Sequence, residues 1–249
     1  MKTFIINLER QSLKKANIEK ICQRLELNYQ FIKAIDGYQL SDDYIRSISN
    51  DYPKNYLTKG EIGCALSHIS VYKEIIDNNL PYALILEDDS VLKTEVPKFL
   101  NSFEEKNFKH GIYLLTADFH YLMNKKTKMG EFELYEVTKA VRANGYIITN
   151  DAARKLINFL YPIRYEADIF KVFRLCAGIK IYGLIPHLIE VTKDYNLNSS
   201  IDADRALLIK QRSEYRKIIF KKDVKKRLIS YLFWKIILKK FEKTKYYVD

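Results

Sequence analysis

At 249 residues, 47% of them hydrophobic and 29% charged, the chain can bury a full core and lacks the low-hydrophobicity composition of a disordered protein. Its net charge of +11 lies wholly in residues 205–249, which hold 15 Lys and Arg against 4 Asp and Glu; residues 1–204 hold 27 of each sign, and a neutral body excludes a phosphate-tracking surface spread along the molecule. Cys22, Cys64 and Cys176 are widely spaced without a CxxC pair, which excludes a disulfide framework and a cysteine zinc site and fits a reducing compartment.

The opening MKTFIINLER has too short an apolar stretch for a signal peptide, and no segment reaches the roughly 20 apolar residues of a spanning helix. TFIINL at 3–8 reads as a strand. From Ser12 to Leu25 the residues Leu13, Ile18, Ile21, Cys22 and Leu25 recur at helical spacing, and YQFIKAI at 29–35 alternates as a strand before the Asp36-Gly37 turn signal. A β-α-β opening starts a parallel sheet.

LTKGEIGCALSHISVYKEIIDNN at 57–79 contains a helix whose apolar positions recur at three and four, with Thr58 and Glu61 as a capping box. YALILEDD at 82–89 is a continuous apolar run suited to a central strand, and it ends in three carboxylates. Further strands are expected at 111–118, 132–137 and 179–191, and AVRANGYIITNDAARKLINFL is a strand passing into a helix. The only shift in composition is near residue 205, which gives a main domain of residues 1–204 and a basic helical extension of 205–249.

Open α/β sheets bind ligands beyond the C-terminal ends of their strands, so Glu87, Asp88 and Asp89 mark a site. Ionised together while half-buried they repel one another, and a cation relieves this. In an extended segment Glu87 and Asp89 point the same way, so both reach one hard ion, Mn2+ or Mg2+, which would neutralise a diphosphate leaving group. The alternatives are a solvated strand end and a receiver-type phosphorylation domain; the latter places its acidic pair near its start, whereas here a β-α-β unit and a long helix come first.

Read in order, INLER at 6–10, AIDG at 34–37, LTKGEIGCALSHISVYKEI at 57–75, YALILEDDSVL at 82–92 and NGYIITNDAARKLI at 144–157 resemble the glycosyltransferase family 25 proteins of bacterial lipooligosaccharide biosynthesis. The resemblance covers about residues 1–200. It implies a GT-A type α/β fold with a mixed, mostly parallel sheet, a UDP-galactose or UDP-glucose donor, inverting transfer to a lipooligosaccharide or other saccharide acceptor, and work at the cytoplasmic face of the membrane. Glu87 and Asp89 then hold the metal, and Asn7, Arg10, Asp36, Gly37, Glu61, His68 and Asp88 contact the donor. Arg10 could equally be a solvated helix-start cation, Asp36-Gly37 a plain turn, Glu61 a cap and His68 a packed helix-face residue. Cys64 reads as packing.

Inverting transfer needs a base for the acceptor hydroxyl. Asp168 is the first candidate and Asp118 and His120 the others, although Glu166-Ala-Asp168 departs from the Pro-Val-Asp more usual in the family. Within 221–245, LISYLFW and IIL among lysines suit an anionic membrane surface, the rival being a helix packed on the body. The competing functional reading is a non-catalytic protein that binds membrane or nucleic acid through this tail. On the enzyme reading, truncation after residue 204 is expected to leave turnover intact.

Overall fold

The computed structural model describes residues 1–108, 110–192 and 202–246, apart from the side chains of 202–206, 244 and 245. Along the chain run β1 (Lys2–Asn7), α1 (Ser12–Arg24), β2 (Asn28–Lys33), α2 (Asp42–Ile48), α3 (Lys59–Asp77), β3 (Tyr82–Glu87), β4 (Ser90–Leu92), α4 (Val96–Lys106), β5 (Ile112–Leu114), β6 (Phe119–Met129), β7 (Phe132–Ala140) and β8 (Gly145–Thr149). They are followed by α5 (Asn150–Leu160), α6 (Phe170–Val172), β9 (Ile181–Ile185), β10 (Ile189–Val191), α7 (Asp202–Val224), α8 (Leu228–Ile236) and β11 (Glu242–Tyr246).

One nine-stranded sheet has the order β11-β6-β7-β9-β5-β8-β3-β1-β2, while β4 and β10 form a separate antiparallel pair. This is the α/β sheet with flanking helices that the resemblance implied. Parallel pairing joins β1 to β2, β1 to β3 and β5 to β9, and the other neighbours run antiparallel. The site-bearing half, β2-β1-β3, is thus entirely parallel.

Alternate residues of the central strands feed two cores. Phe4, Ile6, Ala83, Ile85, Tyr146 and Ile148 pack with α3 and α5, and Ile5, Leu84, Leu86 and Ile147 pack with Ile18 and Cys22 of α1 and Phe99 and Phe103 of α4. A strand covered on both faces has no reason to alternate polar with apolar, which is why YALILE is continuous. Thr58 and Glu61 form the expected capping box at the start of α3.

Several elements differ from the sequence reading. On α1 the buried stripe is Lys14, Ile18 and Cys22, and Leu13 is 73% exposed. The eleven-residue β6 escaped detection because Lys125, Lys126 and Lys128 replace the alternation that marks a half-buried strand. The region 179–191 is two strands, β9 and β10, which belong to different sheets.

The basic segment is folded against the body, and its last stretch is a strand, β11, that extends the sheet beside β6. α7 spans the composition shift near 205. Its Asp223 accepts a hydrogen bond from Tyr165 at 2.8 Å and faces Arg164 at 3.4 Å. Trp234 of α8 is 8% exposed, with the cations of Lys171 and Arg174 each 5.7 Å from its ring. Among the described residues no helix is long and apolar enough to cross a membrane.

Two glycines set how closely α3 approaches the end of β2. A Cβ on Gly63 would lie 2.5 Å from the Gly37 nitrogen and 2.5 Å from the Ile35 carbonyl oxygen, and one on Gly37 would overlap the Lys59 carbonyl. Ser67 fixes the same approach, accepting from the Ile35 N–H at 2.8 Å and donating to the Gly63 carbonyl at 2.7 Å. Gly63→Ala is therefore expected to lower Tm by about 2–12 °C, because forced overpacking costs roughly 1–3 kcal/mol and each kcal/mol moves a chain of this size by about 2–4 °C. Gly130→Ala, with φ +61° but nothing within 4 Å, should cost less in the same thermal melt.

Candidate functional site

β1 and β3 are parallel neighbours, with Ile6 paired to Glu87, so their C-terminal ends open at the same sheet edge. β2 ends there too, paired with β1 up to Asn7 and Lys33. The three strand ends deliver Leu8, then Ala34 to Gly37, then Glu87 to Asp89, and α3 adds Gly60, Cys64 and His68 at successive helical turns. These residues, with Arg10, Gln11 and Lys14 from the start of α1, line one open cleft.

The three carboxylates have different partners. Asp88 accepts a hydrogen bond from Asn7 Nδ2 at 2.7 Å and lies 3.8 Å from the buried ammonium of Lys14. Glu87 lies 3.2 Å from His68 Nε2. His68 is fully buried, and its Nδ1 is 2.8 Å from the Tyr146 hydroxyl, itself 2.8 Å from that of Tyr72. Burial pushes both phenols upward, so they keep their protons. With Glu87 ionised, Nε2–H donates to it, Nδ1 accepts from Tyr146 and Tyr146 accepts from Tyr72. This chain fixes the imidazole and, through it, Glu87.

Asp89 is the least compensated of the three. Its Oδ1 is buried without a hydrogen-bond partner, and burial, reinforced by the charge of Glu87, raises its pKa to about 7. Asp88 is also raised by burial, an effect that Asn7 and Lys14 oppose. Three acids lining one cleft, only one of them paired with the buried lysine and one with an orphaned oxygen, suit a hard divalent cation bound through oxygen. The residues therefore fit Mn2+ or Mg2+. The expected reason for pairing Glu87 with Asp89 fails, because β3 stops at Glu87 and residues 88–89 form a turn, so strand alternation does not bring the two to one side. Among the described residues, the set of potential ligands whose donor atoms all lie within 4.8 Å of one another is Cys64, His68 and Glu87, softer than an all-oxygen site.

Of the sequence candidates, Arg10, Asp36, Gly37, His68, Glu87, Asp88 and Asp89 line the cleft, and Asn7 stands behind Asp88. Arg10 and Asp36 form an ion pair at its rim. Glu61 does not line it. It is 2% exposed, caps α3 and meets Arg212 Nη1 at 2.5 Å. Arg212 also reaches Glu166 at 3.4 Å and the Tyr56 carbonyl at 3.1 Å, and Arg216 pairs with Glu166. The carboxylate that departs from the family pattern is thus a partner for the C-terminal helix.

Asp168, Asp118 and His120 are not among the cleft-lining residues. Asp118 faces Arg142 at 3.0 Å, and Phe170, two residues beyond Asp168, packs edge-on against Tyr146. Lys14 and Tyr146 are site residues that the sequence reading missed. Lys14 could have been found as the one charge that completes the stripe with Ile18 and Cys22; Tyr146 carries no such signal.

The sequence model of glycosyltransferase family 25 (LPS biosynthesis protein) matches residues 1–171. The chain belongs to this family. Human procollagen galactosyltransferase 2 is 28% identical over 174 residues, covering 62% of this chain and 27% of that protein. The procollagen lysyl hydroxylase and glycosyltransferase of Acanthamoeba polyphaga mimivirus is 28% identical over 233 residues, covering 78% and 25%. The chain thus spans about a quarter of the length of these relatives. A solved glycosyltransferase involved in glycosylation of the PBCV-1 major capsid superposes with TM-score 0.43 at 9% identity, over 84% of this chain and 98% of that one.

Two outcomes follow from these charges. Arg212→Met removes a buried cation that pairs with both Glu61 and Glu166, leaving Glu166 with Arg216, and should cost up to about 3–5 kcal/mol in denaturant unfolding; truncation after residue 204, expected from the sequence to leave turnover intact, removes the same cation. Asp89 binds its proton more tightly folded than unfolded, so its contribution to stability is complete below about pH 4 and is lost as pH rises through about 7. Without divalent cation, Asp89→Asn should accordingly raise Tm at pH 8, by roughly 2–4 °C per kcal/mol relieved, and leave it little changed at pH 4.

Proposed function

We propose that the chain transfers galactose or glucose from a UDP-sugar to a saccharide acceptor with inversion, the sugar nucleotide seated in the cleft at the end of β1, β2 and β3. The observation that carries this reading is the convergence of Glu87, Asp88 and Asp89 on a cleft that also presents Arg10 and Lys14. A site able to hold both a divalent cation and an anion suits a metal-bound pyrophosphate. Gly60, in the first turn of α3, brings that helix's positive end to the same cleft, which favours a phosphate there. The names of the relatives support galactose, and the family description supports an acceptor of the lipopolysaccharide type.

In this reading Asp88 and Asp89, with Glu87 held by His68, would hold a divalent ion, which when bound would supply charge neutralisation for the departing diphosphate. Lys14 and Arg10 add fixed positive charge where the leaving group gains negative charge. Asp36 restrains Arg10 at the rim, and Asn7 keeps Asp88 turned toward the cleft. The acceptor side is assigned to Asp168 as base, since Asp118 is occupied by Arg142.

UDP release from a panel of UDP-sugars, with and without Mn2+, tests the proposal. Asp89→Ala is expected to lower kcat by about a hundredfold or more with the far-UV spectrum unchanged, a loss typical of removing a group that stabilises developing charge. Retention of full turnover by this variant would remove the metal role. Asp168→Asn should reduce kcat with little change in donor KM, and Asp118→Asn should change neither; the reverse pattern would move the base to Asp118.

A further inference from the structure

α8 has two faces of opposite fate. Tyr231 and Trp234, three residues apart, turn inward, and Trp234 is buried against the Lys171 and Arg174 segment. On the opposite side Ile229, Leu232, Phe233 and Ile236 project outward, with Ile229 86% and Phe233 52% exposed. At 100° per residue these four fall on one stripe of the helix. Side chains of this size clustered on a surface mark an interaction site, whereas scattered ones would need no explanation.

The chemistry around the stripe identifies its occupant. Lys225, Lys226, Arg227, Lys235, Lys239 and Lys240 are all exposed, and no acidic residue occurs between Val224 and Phe241. A protein partner would meet a surface of mixed sign with paired polar groups. An apolar strip edged only by cations matches hydrocarbon lying beneath anionic headgroups.

From this face we infer that the protein docks on anionic lipid bilayers through the outer side of α8, with the helix flat in the headgroup layer and still anchored to the body by Trp234. The inference stands apart from the donor chemistry proposed above, and its test does not use turnover. Trp234 is the only tryptophan, so it reports on the inner face alone.

The experiment is co-sedimentation of the full chain with vesicles of phosphatidylcholine, alone or mixed with phosphatidylglycerol, at low and high salt. Binding is expected only to the mixed vesicles and should weaken with salt. Ile229→Glu/Phe233→Glu, at exposed positions, should reduce vesicle partitioning by at least roughly tenfold while its melting curve matches the parent. Lys239→Ser/Lys240→Ser should weaken binding to mixed vesicles, and Trp234 fluorescence should resist quenching by brominated lipid. Equal binding of the Glu variant, no binding to anionic vesicles, or strong quenching of Trp234 would overturn the inference. So would a self-association that Ile229→Glu/Phe233→Glu abolishes, since that would give the face to a second copy.

Discussion

The candidate site depends on a concentration of negative charge at the end of a buried strand. Leu84, Ile85 and Leu86 carry β3 through the interior with no exposed surface, and the next three residues are acids. Each acid has a distinct fixture: a histidine set by two tyrosines for Glu87, an amide and a buried ammonium for Asp88, and an incomplete shell for Asp89. The shortfall at Asp89 costs stability in the unliganded protein, and in the proposed function it is what would draw a cation. On that proposal function and instability come from the same oxygen atoms.

Much of this was legible before any coordinates. The switch from a β-branched run to helical spacing gave β1 and α1, the capping pair located the start of α3, and the acids after YALIL located the sheet edge. The less legible parts share a physical cause, in that their signal lies in distant partners. Glu61 has the form of a cap in sequence, and it is one, yet its second role requires Arg212, 151 positions away. Lys14 has no partner signal in its own neighbourhood, because its counter-ion Asp88 lies in the turn after β3. β6 had no periodicity to read, since its lysine-rich half faces water. Asp168 rests on the family resemblance and Asp118 on its place at the end of the expected strand 111–118, and neither specifies which edge of the sheet the carboxylate serves.

The C-terminal segment shows that composition and architecture can point in different directions. Its charge sets it apart from a neutral body, while its contacts join it to that body through a buried arginine, a buried aspartate, an indole and an added strand. The outer side of α8 keeps the apolar and cationic character that the composition suggested. A basic stretch can thus be structural along one line of its helix and adhesive along another.

The Arg212 bridge also bears on how the protein is made. Synthesis runs from the N-terminus, so the strands and the helix that surround the cleft emerge before α7. The glutamate that opens α3 then meets its guanidinium across 151 positions of chain. A nascent chain halted before that arginine would already carry every cleft-lining side chain, but without the buried ion pair that ties α3 to α7.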